Sequence, residues 1–265
     1  MPSQHSPRFL VSKWYFDLVT DAGAVVLLYA ARLRWGPFRA SYGAVLCDAP
    51  GRERTDEATV RGVERPRRTG SDITWGCEPL AVRGTWHPAA RPFRRTLLRS
   101  EGGAIQWACF APLASAEVQC GTTTLRGLGY VECLRLSIPP WKLPFDTLRW
   151  SRYTSERRSL VSIVWAGGEA RRWVWMDGEE QLDADVTDGG VSALAGGETL
   201  TVEPGRVLRD RRVAAAVTEF LPALTTRLGG RLARMREVKC VSRSTLAAPG
   251  GAADRGWTVH EVVTW

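Results

Sequence analysis

Between Gly127 and Leu136 one residue in two points the same way: Leu128, Tyr130, Glu132, Leu134 and Leu136 alternate with the rest of the segment. Side chains of a strand alternate between faces, so these five share one face of a β-strand, and a helix cannot present them together. Four of the five are large and mostly apolar, and the fifth is a carboxylic acid. Burial of an unpaired carboxylate is costly, so Glu132 must be paired, hydrogen-bonded, or protonated with a raised pKa. In a structural role it bonds to arginine or backbone donors inside a barrel. In a chemical role it delivers a proton to a greasy substrate.

The same period recurs along the chain. Lys13 to Thr20 is rich in aromatics, Asp21-Ala-Gly23 reads as a turn, and Ala24 to Trp35 follows. There Val25, Leu27, Tyr29, Ala31, Leu33 and Trp35 share a face, with Arg32 and Arg34 opposite. Phe38 to Leu46 continues as a third strand. Asp48 to Asp56 is a charged loop, and short strand-like runs follow at Thr59, Ile73, Leu80, Phe93, Ile105 and Ala116, punctuated by turn residues. A second series starts at Gly127 and runs to Trp265. Between Leu136 and Thr147, Ile138-Pro-Pro-Trp-Lys-Leu-Pro144 is a stiff linker or lid candidate. Only Ala214 to Arg234 shows helical spacing, interrupted by Pro222 and Gly229-Gly230, which predicts a helix of two or three turns. The expectation is an all-β chain of two antiparallel barrel-like units, residues 1–126 and 127–265, with one short helix near the C-terminus. The units should meet between Gly121 and Phe145.

Composition narrows the function. The net charge is +8, but of 36 basic residues only Lys13, Lys142 and Lys239 are lysines, and the arginines are scattered. No nucleic-acid-binding motif accompanies them, so nucleic acid is not an expected partner. Twelve tryptophans, most in strand-like runs, suit either an apolar ligand cavity or packing between sheets. None of the six cysteines has a metal-ligand spacing, and the longest apolar run, Ala22 to Ala31, is about half of what a bilayer requires. The reading is a reduced cytoplasmic protein, with peripheral membrane contact compatible with an apolar substrate.

P-loop, dinucleotide, nucleophile-elbow and zinc-protease motifs are missing. The only histidines are His5, His87 and His260. No metal and no cofactor is expected, which brings cofactor-free chemistry forward. Other acids compete with Glu132. Alternation puts Glu261 with Val259, Val263 and Trp265, as a second acid on an apolar face or as the partner of an arginine. Asp17 shares a face with Lys13, Tyr15 and Val19, opposite Trp14, Phe16 and Leu18. Arg149 and Tyr153 lie in a polar stripe with Thr147 and Ser151, suited to pair with Glu132 or hold a substrate oxygen.

Several of these stretches occur together in a known group. Trp14-Tyr-Phe-Asp17, Gly127-Leu-Gly-Tyr-Val-Glu132, the turn Pro140 to Pro144, Leu148-Arg-Trp150, Ser162-Ile-Val-Trp165 and the terminal His260-Glu-Val-Val263 resemble the carotenoid 1,2-hydratase (hydroxyneurosporene synthase) family of lipocalin-like proteins. The resemblance implies two consecutive lipocalin-like, calycin-type β units with a ligand cavity. It also implies a hydratase adding water across an isolated alkene, or, as in similar proteins, a cofactor-free pericyclase or cyclase of natural-product biosynthesis. The family-like acid maps to Glu132, and the opening motif to Trp14, Tyr15 and Asp17. The expected enzyme is a lyase or isomerase on a polyene, terpenoid or polyketide. Glu132 supplies the proton, and Tyr130 and Arg149 orient it. Trp14, Asp17, Trp150, Tyr153, Trp165, Trp173, Trp175 and Glu261 line the substrate. The alternative is a non-catalytic carrier of a lipid or pigment, which needs the cavity but no proton donor.

Overall fold

The computed structural model describes residues 9–213 and 230–265. They form two antiparallel sheets of ten strands each. The first contains β1 (Phe9–Val19), β2 (Val25–Trp35), β3 (Phe38–Asp48), β4 (Thr55–Thr59), β5 (Arg67–Thr69), β6 (Asp72–Cys77), β7 (Val82–Pro88), β8 (Phe93–Ser100), β9 (Gly103–Cys120) and β10 (Thr123–Leu136). The second contains β11 (Thr147–Thr154), β12 (Ser159–Ala166), β13 (Arg171–Met176), β14 (Glu179–Glu180), β15 (Asp185–Thr187), β16 (Gly190–Ser192), β17 (Thr199–Val202), β18 (Arg206–Arg212), β19 (Arg236–Ala247) and β20 (Asp254–Thr264). The order is β4-β3-β2-β1-β10-β9-β7-β6-β5, with β8 on β9. The second sheet repeats it as β14-β13-β12-β11-β20-β19-β17-β16-β15, with β18 on β19. The all-β, two-unit, lipocalin-like architecture is therefore as expected. Of the anticipated helix, only α1 (Gly230–Arg234) is described, and the remainder of Ala214 to Arg234 lies outside the described residues.

The division falls between Lys142 and Leu143, inside the anticipated Gly121–Phe145 window but not after residue 126. The reason is β10. It pairs with β1 and β9 at the centre of the first sheet, so the segment read as opening the second unit completes the first. The proline-rich turn is the connection. Trp141 packs edge-on against Phe9 at 5.9 Å and beside Trp35 at 5.3 Å in the first unit. Phe145 stacks on Trp165 at 4.3 Å in the second.

Each sheet curls. In the first, one buried cluster joins Val26, Leu28 and Val45 of one arm to Ile73, Trp75 and Val82 of the other, through Phe16, Leu18 and Trp86. Strands so far apart in the sheet share one core only if the face that carries them is concave. In the second sheet Tyr153, Leu160, Val174 and Met176 meet Val191, Leu200 and Leu246 in the same way.

The runs expected as separate strands at Ile105 and Ala116 are one strand, β9, continuous through Pro112. Proline cannot donate to a ladder, which argues for a break. The structure absorbs it in a bulge, since Ala111 faces Val131 and Ala114 faces Gly129, leaving two residues opposite one.

Candidate functional site

β1 and β10 run antiparallel with Tyr15 opposite Glu132 and Asp17 opposite Tyr130. Directly opposed residues share a face, so these four side chains gather on the face of the first sheet away from its concave core. β2 adds Tyr29 opposite Tyr15, and Leu27 opposite Asp17. β9 adds Cys109 opposite Glu132, and Trp107 opposite Leu134. Asp17, Tyr130 and Leu27 have no exposed surface, whereas Glu132 is half-buried.

The glycines of the Gly127–Glu132 segment are what let these strands close up. A Cβ at Gly129 would come within 2.7 Å of the Trp86 ring and 2.8 Å of the Asp17 carbonyl oxygen. The Trp86 ring uses that space to donate its indole N–H to the Asp17 carbonyl at 2.7 Å, which fixes the backbone of the acid from the concave side. A Cβ at Gly127 would meet the Val19 carbonyl at 2.2 Å, so the motif needs glycine there as well.

Neutral donors reach both carboxylates. Tyr130 donates its hydroxyl to Glu132 Oε2 at 2.6 Å, and Trp107 donates its indole N–H to the same oxygen at 2.6 Å. Tyr15 donates to Asp17 Oδ2 at 2.9 Å. Burial, then the neighbouring Cys109 and Glu132, push the Tyr130 phenol well above its ordinary value, so it remains a protonated donor. Burial does the same to the Cys109 thiol. Lys13 stands over the Tyr29 ring, 4.9 Å from its centre.

The other anticipated site residues are distributed differently. Trp14 is on the concave face, opposite to that of Tyr130 and Glu132, and stacks on Phe110 at 4.7 Å and Phe16 at 6.0 Å. It cannot line a common wall with Tyr130, because neighbours in a strand point to opposite sides. Arg149, expected to orient Glu132, belongs to the second unit and forms an ion pair with Asp188. Tyr153 is fully buried and donates to the Asp254 side chain at 3.0 Å. Trp150, Trp165, Trp173 and Trp175 are all buried on one face of β11, β12 and β13. Trp165 packs edge-on against Trp173 at 4.7 Å. Glu261, expected to line the substrate or else to pair with an arginine, is bonded to Lys239, whose ammonium also lies 3.2 Å from Glu237. Trp107 was not anticipated for the site. Its only local signal is its place in an apolar run, and it lies 25 residues before its partner. Among the described residues no three His, Cys, Asp or Glu side chains come together to hold a metal ion, and no helix is long and apolar enough to cross a membrane.

No family model matches this sequence, and no curated protein sequence matches it. Solved structures do resemble it. CghA, in a crystal structure with Sch210972, superimposes with a TM-score of 0.55 at 12% identity, over 97% of this chain and 89% of that one. A candidate AttH protein from Nitrosomonas europaea gives 0.54 at 11% identity, over 96% and 92%. Kievitone hydratase from Nectria haematococca gives 0.51 at 8% identity, over 97% and 88%. At such low identity what the chain shares with these proteins is the fold, along nearly its whole length: two lipocalin-like β units in succession.

Proposed function

We propose that the chain is a cofactor-independent enzyme of the hydratase or cyclase kind, acting on an apolar polyene, terpenoid or polyketide, with Glu132 as proton donor. The observation that supports this most is the way Glu132 is held. Two neutral donors, the Tyr130 hydroxyl and the Trp107 indole N–H, act on Oε2. An indole N–H donates only, and the Tyr130 phenol stays protonated, so neither provides the fixed positive charge that would lock the acid in its ionised form.

In a hydration, the Glu132 proton passes to one alkene carbon and the π pair forms the new C–H bond. The adjacent carbon, left cationic, takes the oxygen of a water molecule. The proton released from that water returns to the active site through a carboxylate, for which Asp17 beside Tyr15 is the second group. The net change is one water added. In a cyclisation the protonated acid hydrogen-bonds a substrate carbonyl while bonds rearrange, and the mass is unchanged. The similarity in fold to a protein crystallised with a small molecule and to a hydratase fits both routes by analogy.

The test is incubation with a panel of apolar polyenes, terpenoids and polyketides, followed by mass spectrometry in ordinary and heavy water. A product heavier by one water, carrying deuterium on carbon when made in heavy water, identifies a hydratase. A new isomer of equal mass identifies a cyclase. Glu132→Gln keeps the shape and removes the proton, and should lower turnover by about 10²-fold or more with affinity little changed. Full activity of that variant refutes the acid role. Binding without turnover of any substrate replaces the enzyme with a carrier.

A further inference from the structure

The concave face of the first sheet carries a second arrangement that the chemistry above does not use. Ser12, Arg32 and Ser41 lie side by side across β1, β2 and β3, and Trp14 is one step along from Ser12 on the same face. The loop through Val63 packs over this face, since a Cβ on Gly43 would come within 3.1 Å of the Val63 side chain. Between loop and strands is an open groove of about 550 Å³ lined by Arg32, Ser41, Val63, Glu64, Arg65 and Arg67, among others. Its size is that of a small-molecule site.

The charges around it are unbalanced. Glu64 is engaged by Arg67 at 2.8 Å. Arg32 and Arg65 have no carboxylate partner among the described residues. Next to them on the same concave face, Phe110 lies flat on Trp14 at 4.7 Å, and both rings are only partly buried. Two further guanidiniums, Arg68 and Arg94, stand 5.5 and 5.9 Å from the centre of the Phe110 ring, again with no acid partner among the described residues. All four arginines are exposed, so water screens their mutual repulsion, and what they offer an anion is several guanidiniums beside one aromatic shelf. Arginine is the side chain best suited to take a carboxylate through two parallel N–H···O bonds.

We infer that this end of the first unit binds an amphiphilic carboxylate, its charged group between Arg32 and Arg65 and its apolar body along Trp14 and Phe110. The site lies on the opposite face of β1 and β10 from Asp17 and Glu132 and is independent of the proposed catalysis.

The experiment is calorimetric titration of the intact protein with dodecanoate below its micelle concentration, with dodecanol and acetate as comparators and a deoxythymidine oligonucleotide as a competing polyanion. Dodecanoate should bind more tightly than either comparator. Arg32→Gln/Arg65→Gln should weaken it about tenfold or more, the scale of losing hydrogen bonds to a charged group, while dodecanol binding stays the same. Trp14→Leu should weaken both dodecanoate and dodecanol, and circular dichroism confirms that each variant is folded. Unchanged dodecanoate affinity in the double variant overturns the assignment. So does an oligonucleotide that binds through these residues more tightly than dodecanoate, which would make the face a nucleic-acid shelf.

Discussion

The two units have the same strand order, and superimposing the registers sets equivalent positions side by side. β10 corresponds to β20, and Glu132, opposite Tyr15 on one neighbour and Cys109 on the other, corresponds to Glu261, opposite Trp150 and Lys239. Asp17 corresponds to Arg152, and Trp107 to Glu237. One scaffold position thus carries an acid in both units, with contrasting surroundings. Glu132 is held by a phenol and an indole. Glu261 is held by a buried lysine that also approaches Glu237, itself 3.3 Å from Arg211 and 3.8 Å from Arg209. A cation at hydrogen-bond distance stabilises the ionised carboxylate, whereas neutral donors leave protonation within reach. The difference teaches that one scaffold position can hold its acid with neutral donors in one unit and with an ammonium in the other.

The largest expected effect that tests this contrast is on stability. Lys239→Met removes the buried cation shared by Glu237 and the partly buried Glu261 and should cost about 3–5 kcal/mol, whereas Cys109→Ala, the change at the equivalent position, should cost about 1 kcal/mol. Urea unfolding of both variants checks it, and equal losses would break the comparison. Next, Tyr130→Phe leaves Glu132 short of one donor and should cost about 1–3 kcal/mol, and it should also alter the pH dependence of any turnover. A stability loss with an unmoved pH profile would reduce Tyr130 to a packing residue.

Smaller effects are spectroscopic. Because burial and anionic neighbours disfavour the Tyr130 phenolate, an ultraviolet titration should show no Tyr130 signal as the pH passes 10, the ordinary tyrosine value. Wild type and Tyr130→Phe should superimpose there. A difference between them would mean a phenol open to water. The smallest effect concerns the second unit's concave face, where His260 lies 3.1 Å from Ser242 Oγ and burial lowers its pKa from 6.5. Above pH 6.5 the imidazole is neutral in folded and unfolded chains alike, and its contribution is intact. Below 6.5 the unfolded chain takes up the proton first, so stability is lost as the pH falls towards the folded value. The urea midpoint of His260→Gln should fall less steeply than that of wild type below pH 6.5. Parallel curves would show that His260 is accessible to solvent.

Much of this was legible in the chain. Alternation is a property of neighbours, so it identified β1, β2, β3 and β10, put Asp17 with Tyr15 and apart from Trp14, and marked Glu132 as an acid on an apolar face. It failed where distant strands decide. Nothing near Glu132 announces Trp107, because their approach depends on the pairing of β9 with β10 and on a bulge that carries β9 past Pro112. Glu261 was expected to face a substrate or, as the alternative, an arginine, but register brings it one of only three lysines. Two strand series of similar length suggested two similar units, but no repeat of residues showed, because the sheets share a strand order while their equivalent side chains differ in charge and size. The sequence by itself determined the β character of the chain and, within a regular strand, which residues share a face, since these follow from the two-residue period of the backbone. Only the tertiary structure decided which face became concave, where one unit ends, and whether a buried acid meets a phenol or an ammonium. Those depend on strand order and register, which are set between residues far apart along the chain.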